Sequence, residues 1–570
     1  DYKHEKMLRA FNTLYAEYEI IKNLKFKTTF SYDYTTVKGE KWYDPRTSNG
    51  EDENGEVVKR IREYKKMVWS NTLSYLTTFN NIHHLDFLAG YEIDDTYNDY
   101  LSGEAYNFTT PDKHAISNGM KTVSVGGSDS RYRLVSYLSR LNYDYKNKYY
   151  LGASFRVDGS SRLHRDNRWG TFWSVSGAWR TIEEEFMQPV KDWLTDLRIR
   201  ASYGVNGTLP SDYFGYMGLS SISGGYLEQP GIQMSQIANP NLKWETNYNM
   251  NIGLDFGFWD RLNFTIEYYT RTTKNLLMDC PVSMTTGFSS YLMNIGEVKN
   301  KGIELTINST NIKIKDFSWN TTFNLGHNSN KVVKLDGEQT QIVSGTQIHK
   351  VGSSYRTFYV QEFAGINPET GNPLFYTNEL DENGNYIKEI TENSKNAQFI
   401  PYKHAEPTVN GGISNSLRYK WLDLNFLFSY QFGGYSYDTW AQKTEHGGYD
   451  SYANIPTYYR DSWKKPGDQT NIEVYMPGKS SSVSMHKITS SRRIHSTDYF
   501  RLKNITFGIT LPKEWTNKIN IGNVRFYASA SNLWTWAAYD NYDPEAVSAG
   551  SATQTTPPLK TVTFGLNINF

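Results

Sequence analysis

A chain of 570 residues in which 15% are aromatic but only 38% hydrophobic lacks the aliphatic mass of a large soluble core. Its thin, evenly spread apolar content suits sheet faces one residue thick. Lys+Arg and Asp+Glu balance at 60 each, which leaves no cationic excess for nucleic acid, and no apolar run reaches the roughly 18 residues of a transmembrane helix. The single cysteine, Cys280, excludes an internal disulfide and a four-cysteine zinc site.

The opening DYKHEKMLRAF lacks the apolar stretch of a secretory signal. For an exported chain this places the expected amino terminus upstream. From there a period of two dominates. The first clear strand is expected at about residues 11–21. Long alternating runs follow as REYKKMVWSNTLSYLTTFN and RYRLVSYLSRLNYDYKN. From Tyr248, the residues Tyr248, Met250, Ile252, Leu254, Phe256 and Phe258 share one face, and Asn249, Asn251, Gly253, Asp255 and Gly257 share the other. Leu262, Phe264, Ile266 and Tyr268 alternate with Asn263, Thr265 and Glu267. Leu422, Leu424, Phe426, Phe428, Tyr430 and Phe432 form another apolar face, with Leu427 the one break in the polar face behind it. The terminal TVTFGLNINF sets Val562, Phe564, Leu566, Ile568 and Phe570 against Thr561, Thr563, Gly565, Asn567 and Asn569.

A soluble sandwich also alternates, but its strands run about 5–6 residues, whereas many runs here last about 10 to 15, enough for the roughly 9–11 residues that cross a bilayer at a tilt. Charged residues of the quoted strands fall on the polar face, as the cost of about 2–4 kcal/mol for a lipid-facing Lys or Arg requires. The reading is all-β: a transmembrane antiparallel β-barrel. Short turns are expected at Lys22–Leu24, Asn81–His83, Lys146–Lys148, Phe258–Arg261 and Lys420–Trp421. Longer ones are expected at Glu183–Trp193, Thr310–Asp316 and Leu511–Gly522. Long polar loops are expected near 38–61, 99–129, 206–243, 276–299, 329–408, 434–496 and 535–559. Long and short connections alternate, as extracellular loops and periplasmic turns do. The first strand begins on the long-loop side and the last ends on the short-turn side, so the count is odd, about seventeen. Single-chain bacterial barrels have even counts, and an open edge in lipid is not tolerated. The expectation is that residues 1–570 are the carboxy-terminal part of a larger barrel.

Ordered segments then carry a resemblance. They are VDGSSR (157–162), NPNLKWETNYNMNIGLDFGF (239–258), NKGIELTIN (300–308), INPETGNPLFY (366–376), GGISNSLRYKWLDLNFLFSYQFGG (411–434), DYFRLKNITFGITLP (498–512), RFYASASNLWTWAAYDNYDPE (525–545) and the terminal TFGLNINF. The chain resembles the barrel of SusC/RagA-type TonB-linked outer-membrane transporters. The resemblance implies twenty-two strands, about five of them ahead of this chain. It also implies an amino-terminal extension, a plug, and a TonB box that engages TonB–ExbB–ExbD. It further implies a SusD-like surface lipoprotein as partner, outer-membrane localisation, and active import of a glycan or oligopeptide. The alternatives weighed are a siderophore or cobalamin receptor, a passive porin, and a surface enzyme or adhesin on a β scaffold.

Candidate ligand platforms are the loop aromatics Trp42, Trp440, Trp463, Trp534, Trp536 and Tyr539, because an aromatic ring covers the apolar face of a sugar. Each competes with membrane-interface girdles and loop packing. Phe564, Leu566, Ile568 and Phe570 are read as the barrel-assembly signal of a carboxy-terminal strand. His83 and His84 stand where alternation sends them to opposite faces, so no metal site is expected there. DENGN (381–385) lacks EF-hand spacing and reads as a hairpin turn at Asn383–Gly384. A structural calcium in the long loops is the one cofactor left open. Glu183, Glu184 and Glu185 read as a solvated helical turn, and no catalytic or phosphate-loop motif occurs. No enzyme is expected.

Overall fold

The computed structural model describes the chain apart from residues 227–228, 336–339, 449–453, 478–487, 517, 519–520, 554 and 570. Among the described residues, seventeen strands belong to one sheet. In chain order they are β1 (Tyr2–Ile21), β2 (Leu24–Tyr43), β3 (Glu56–Phe79), β4 (His83–Phe108), β5 (Gly119–Tyr145), β6 (Tyr149–Ser160), β7 (Trp169–Trp179), β8 (Leu194–Thr208) and β9 (Glu245–Phe258). The rest are β10 (Leu262–Lys274), β11 (Glu297–Lys313), β12 (Phe317–Lys334), β13 (Val409–Tyr419), β14 (Leu422–Phe432), β15 (Tyr499–Thr510), β16 (Asn523–Ala537) and β17 (Thr561–Asn569). No helix among the described residues is long and apolar enough to cross a membrane.

The chain divides into two compact units. One comprises Asp1–Trp179, Ala201–Asn249 and Thr273–Ile295, and the other Arg180–Arg200, Met250–Thr272 and Gly296–Phe570. In the first, β1 to β7 pair successively and antiparallel. In the second, β11 to β17 do the same.

The tight turns fall where the polar breaks predict them. Asn23, Asn80, Asn81, Lys146, Asn147, Trp259, Asp260 and Lys420 adopt positive φ at the hairpin ends, a backbone most accessible to glycine and asparagine. The connection at 183–193 holds two short 3₁₀ segments, Thr181–Glu183 and Glu185–Val190, and Glu183 pairs with Arg180 and Lys191.

Two loop boundaries require correction. The segment 38–61 is half strand and 99–129 mostly strand, because β2 runs on to Tyr43, β3 begins at Glu56, β4 reaches Phe108 and β5 begins at Gly119. The ladder continues because its side chains still find partners. Lys59 pairs with Glu40 at 3.0 Å, and Trp42, Val57, Ala105 and Phe108 close a small buried cluster with Ile116 against it. DENGN is a hairpin turn as read: Glu379–Leu380 pair with Tyr386–Ile387, and Gly384 takes φ +80°. The Asp381 carboxylate accepts the backbone N–H of Asn383 and Asn385 at 2.9 and 2.8 Å.

The two faces of the sheet differ chemically. One row runs Leu14–Phe30–Trp69–Ile93–Val135 across β1 to β5. In the second unit, Phe526, Ala528 and Ala530 stand beside Leu566, Phe564 and Val562. On the polar face, opposite charges pair across strands: Arg9 with Asp33, Lys66 with Asp94, Arg198 and Arg200 with Asp255, and Arg525 with Asp423. His83 and His84 do diverge, His83 toward the Tyr143 hydroxyl at 2.7 Å and His84 toward Thr78 at 2.9 Å. Gly411 marks a close approach: a Cβ there would lie 2.5 Å from the Tyr430 hydroxyl, which donates to the Asn324 carbonyl at 2.8 Å.

Candidate ligand-binding site

The second unit gathers its long connections around a small sheet. Tyr435–Asp438 pairs antiparallel with Ile494–Ser496 and parallel with Ser551–Ala552. Asp438 ends its strand and caps the helix α1 (Thr439–Thr444), accepting from the backbone N–H of Trp440 and Ala441 at 3.0 and 2.8 Å. Its second oxygen accepts the Tyr539 hydroxyl at 3.0 Å and the Asn541 amide at 3.4 Å. One carboxylate thus joins a strand end, a helix start and the loop after β16.

That loop is held from below. Arg501 is buried and donates to Asp543 at 2.6 Å and to Thr535 at 2.9 Å, and it also pairs with Glu545. Lys503 reaches Glu545 at 2.7 Å. With Asp543 and Glu545 fixed, Tyr539 is laid flat on His495, ring centroids 3.7 Å apart and planes 2° from parallel. Burial pushes the Tyr539 phenol up and holds His495 below the ordinary histidine range.

Beside this stack lies a cavity of about 650 Å³, lined among others by Phe363, Glu445, Tyr458, Asn471, Arg492 and Tyr539. Glu445 accepts from the Tyr458 hydroxyl through one oxygen. Its other oxygen stands 3.8 Å from Arg492 Nε and 3.9 Å from Arg493 Nη2, beyond hydrogen-bond range. The Arg492 guanidinium lies over the Phe363 ring at 5.3 Å. Arg493 is 0% exposed. Among the described residues, none of the three Arg493 side-chain nitrogens nor Arg492 Nη1 meets a hydrogen-bond acceptor. A buried donor left so costs about 1–3 kcal/mol, more when charged. The arginines are fixed there because their 3₁₀ turn, Ser491–Arg493, is stitched to the strand before Phe363: Gln361 bridges to Ser490, and Phe363 N donates to Ser491 Oγ at 3.0 Å.

The six aromatics picked from the sequence part company here. Tyr539 lines the cavity. Trp42 is 2% exposed, stacked on His114 at 4.3 Å and edge-on to Phe108. Trp463 covers Gly371 and donates to the Pro368 carbonyl at 2.7 Å, clamping the INPETGN turn. Trp534 and Trp536 pair with Leu502 and Phe500 on the apolar face, at the end of β16, the place of an interfacial girdle. Trp440 is exposed on the first turn of α1. Of the assembly-signal residues, Phe564, Leu566 and Ile568 are exposed along one face of β17, and Phe570 lies outside the described residues. The residues that sequence reading missed are Asp438, Glu445, Tyr458, Arg492, Arg493 and His495. The adjacent arginines of SSRRIHS were the one available signal, and a charge pair in a polar loop ordinarily reads as solvated.

Residues 8–399 match the family model for TonB dependent receptor-like β-barrels. The chain belongs to that family. It is 32% identical to TonB-dependent receptor P3 of Formosa agariphila, over 98% of this chain and 57% of the relative. It is 29% identical to TonB-dependent receptor SusC of Bacteroides thetaiotaomicron, over 91% of this chain and 51% of SusC. Among solved structures it superposes on a chain of the RagAB peptide transporter with a TM-score of 0.89 at 26% identity, covering all of this chain and 62% of the other. The chain therefore spans between half and two-thirds of the length of these proteins. It is an outer-membrane TonB-dependent receptor barrel of the SusC/RagA type.

Proposed function

We propose that this barrel serves TonB-dependent import of a glycan or an oligopeptide across the outer membrane, in company with a SusD-like surface lipoprotein. The likeness to the RagAB peptide transporter along the whole chain carries the reading, and the identity with SusC supports it. Physically, an importer of large polar solutes needs a polar-faced sheet and loops able to recognise the solute. The Asn, Asp, Thr and Arg side chains of the polar face supply the first. The cavity around Arg492 and Tyr539 is the recognition element within this chain. In this reading the gate and the energy-coupling segment belong to the plug and TonB box of the whole receptor, which also engages TonB–ExbB–ExbD.

The test is uptake of defined oligosaccharides and peptides by cells carrying or lacking the intact gene. Gene-dependent uptake that disappears on removal of the proton-motive force supports the proposal. Uptake unaffected by the gene, for every solute offered, overturns it.

A further inference from the structure

We propose that the cavity beside Arg492 receives the acidic residue of an anionic oligosaccharide, with its carboxylate or sulfate oxygens on the Arg492 guanidinium and its hydroxyls on the surrounding polar side chains. The inference rests on the import reading and names the class of solute.

Three observations carry it. The first is the unfilled guanidinium. Arg492 Nη1 is buried without an acceptor among the described residues, and the Glu445 carboxylate stands 3.8 and 3.9 Å from Arg492 and Arg493 with its other oxygen given to Tyr458. A ligand oxyanion entering the cavity meets Arg492, which lines it, and a guanidinium short of acceptors takes an oxyanion in the planar geometry it favours.

The second is the rest of the lining. Asn471, Asn541, Asp540 and Tyr458, with amide, carboxylate and hydroxyl chemistry, line the same space together with Phe363. A uronate or sulfated sugar carries its acid and its hydroxyl donors on one ring. It therefore engages Arg492 and Asp540 together, whereas the side chains of an acidic peptide bring Asp540 further carboxylates and leave it only backbone N–H groups as donors. The third is size: about 650 Å³ falls within the roughly 300–1,000 Å³ of small-ligand sites.

The test is calorimetric titration of the full-length receptor in detergent with four probes: an oligogalacturonate hexamer, a sulfated galactan hexasaccharide, maltohexaose and hexaglutamate. Binding of either acidic saccharide in preference to maltohexaose and hexaglutamate is expected, and the two acidic arms distinguish carboxylate from sulfate. Arg492→Gln should weaken that binding at least about tenfold, and Arg492→Lys, which keeps the charge and loses the fork, by less. Heat-modifiable gel mobility checks that each variant has folded. If Arg492→Gln fails that check, the wild-type preference and the Arg492→Lys titration decide. Equal binding of acidic and neutral saccharides, preference for hexaglutamate, or unchanged affinity in folded Arg492→Gln overturns the proposal. Gene-dependent uptake of maltohexaose or of a peptide, with no acidic saccharide bound, overturns it too while leaving import standing. Loss of all gene-dependent uptake removes the import reading instead.

Discussion

Tyr539 lies face to face on His495, with ring centroids 3.7 Å apart, and its hydroxyl donates to Asp438 at 3.0 Å. The imidazole is buried against the phenol, and that burial lowers its proton affinity. Asp438 and Glu445 pull the other way, while Arg492 and Arg493 add to the lowering. A histidine depressed in the folded state binds its proton more readily when the loop opens. Local stability is therefore level above the unfolded pKa of about 6.5 and falls as pH drops from there toward the lowered value. Hydrogen exchange over residues 494–496 and 535–542 should be slow and constant above that point and accelerate below it. Exchange independent of pH, after correction for its intrinsic chemistry, would count against the stack.

Asp438 holds α1, Tyr539 and Asn541 at once. Asp438→Ala should cost about 1–2 kcal/mol in the cap alone and release the loop after β16. Asp438→Asn retains a capping oxygen and should cost less. Limited proteolysis between residues 535 and 559 reads the difference: faster cleavage in the alanine variant, intermediate in the asparagine one.

The Gly411–Tyr430 contact admits no side chain. Gly411→Val would meet the Tyr430 hydroxyl and the Asn324 carbonyl, and it should destabilise the folded barrel by about 1–3 kcal/mol. Refolding yield into vesicles, scored by heat-modifiable mobility in urea, gives the comparison.

Cys280 sits buried in the hairpin Leu277–Pro281 with Ser290–Asn294. Burial pushes its thiol up to about 11, so near neutral pH it is almost wholly protonated and a poor nucleophile. Maleimide should leave it largely unmodified in the native receptor and label it fully in denaturant. Rapid native labelling would contradict the packing.

How much of this was legible in the sequence follows from the range of the forces involved. The strands were, because alternation is local: Val562, Phe564, Leu566 and Ile568 declare their shared face within seven residues. Asn23, Asn81 and Lys420 announced their turns for the same reason. The outer ends of β2, β3, β4 and β5 were not. Above the apolar rows the pattern turns polar, and only Lys59 against Glu40, or Trp42 against Phe108, shows that pairing continues. The cavity was least legible, because Phe363, Glu445, Arg492 and Tyr539 come from three separate connections, with Glu445 and Arg492 far apart within one of them. Tyr539 was picked for its chemistry as a platform. Trp42 was picked for the same chemistry, and the packing of Phe108 and Ile116 around it is what a sequence cannot show.

The alternation itself admits the most direct measurement. Single cysteines placed from Val562 to Ile568 in the full-length receptor, labelled with an environment-sensitive fluorophore in vesicles, report which face meets lipid, and the shielded Cys280 keeps the labelling specific. Quenching by spin-labelled lipid is expected at 562, 564, 566 and 568, and little at 563, 565 and 567. Equal quenching along the strand, or quenching at the odd positions, would contradict the assignment of the apolar face to the bilayer.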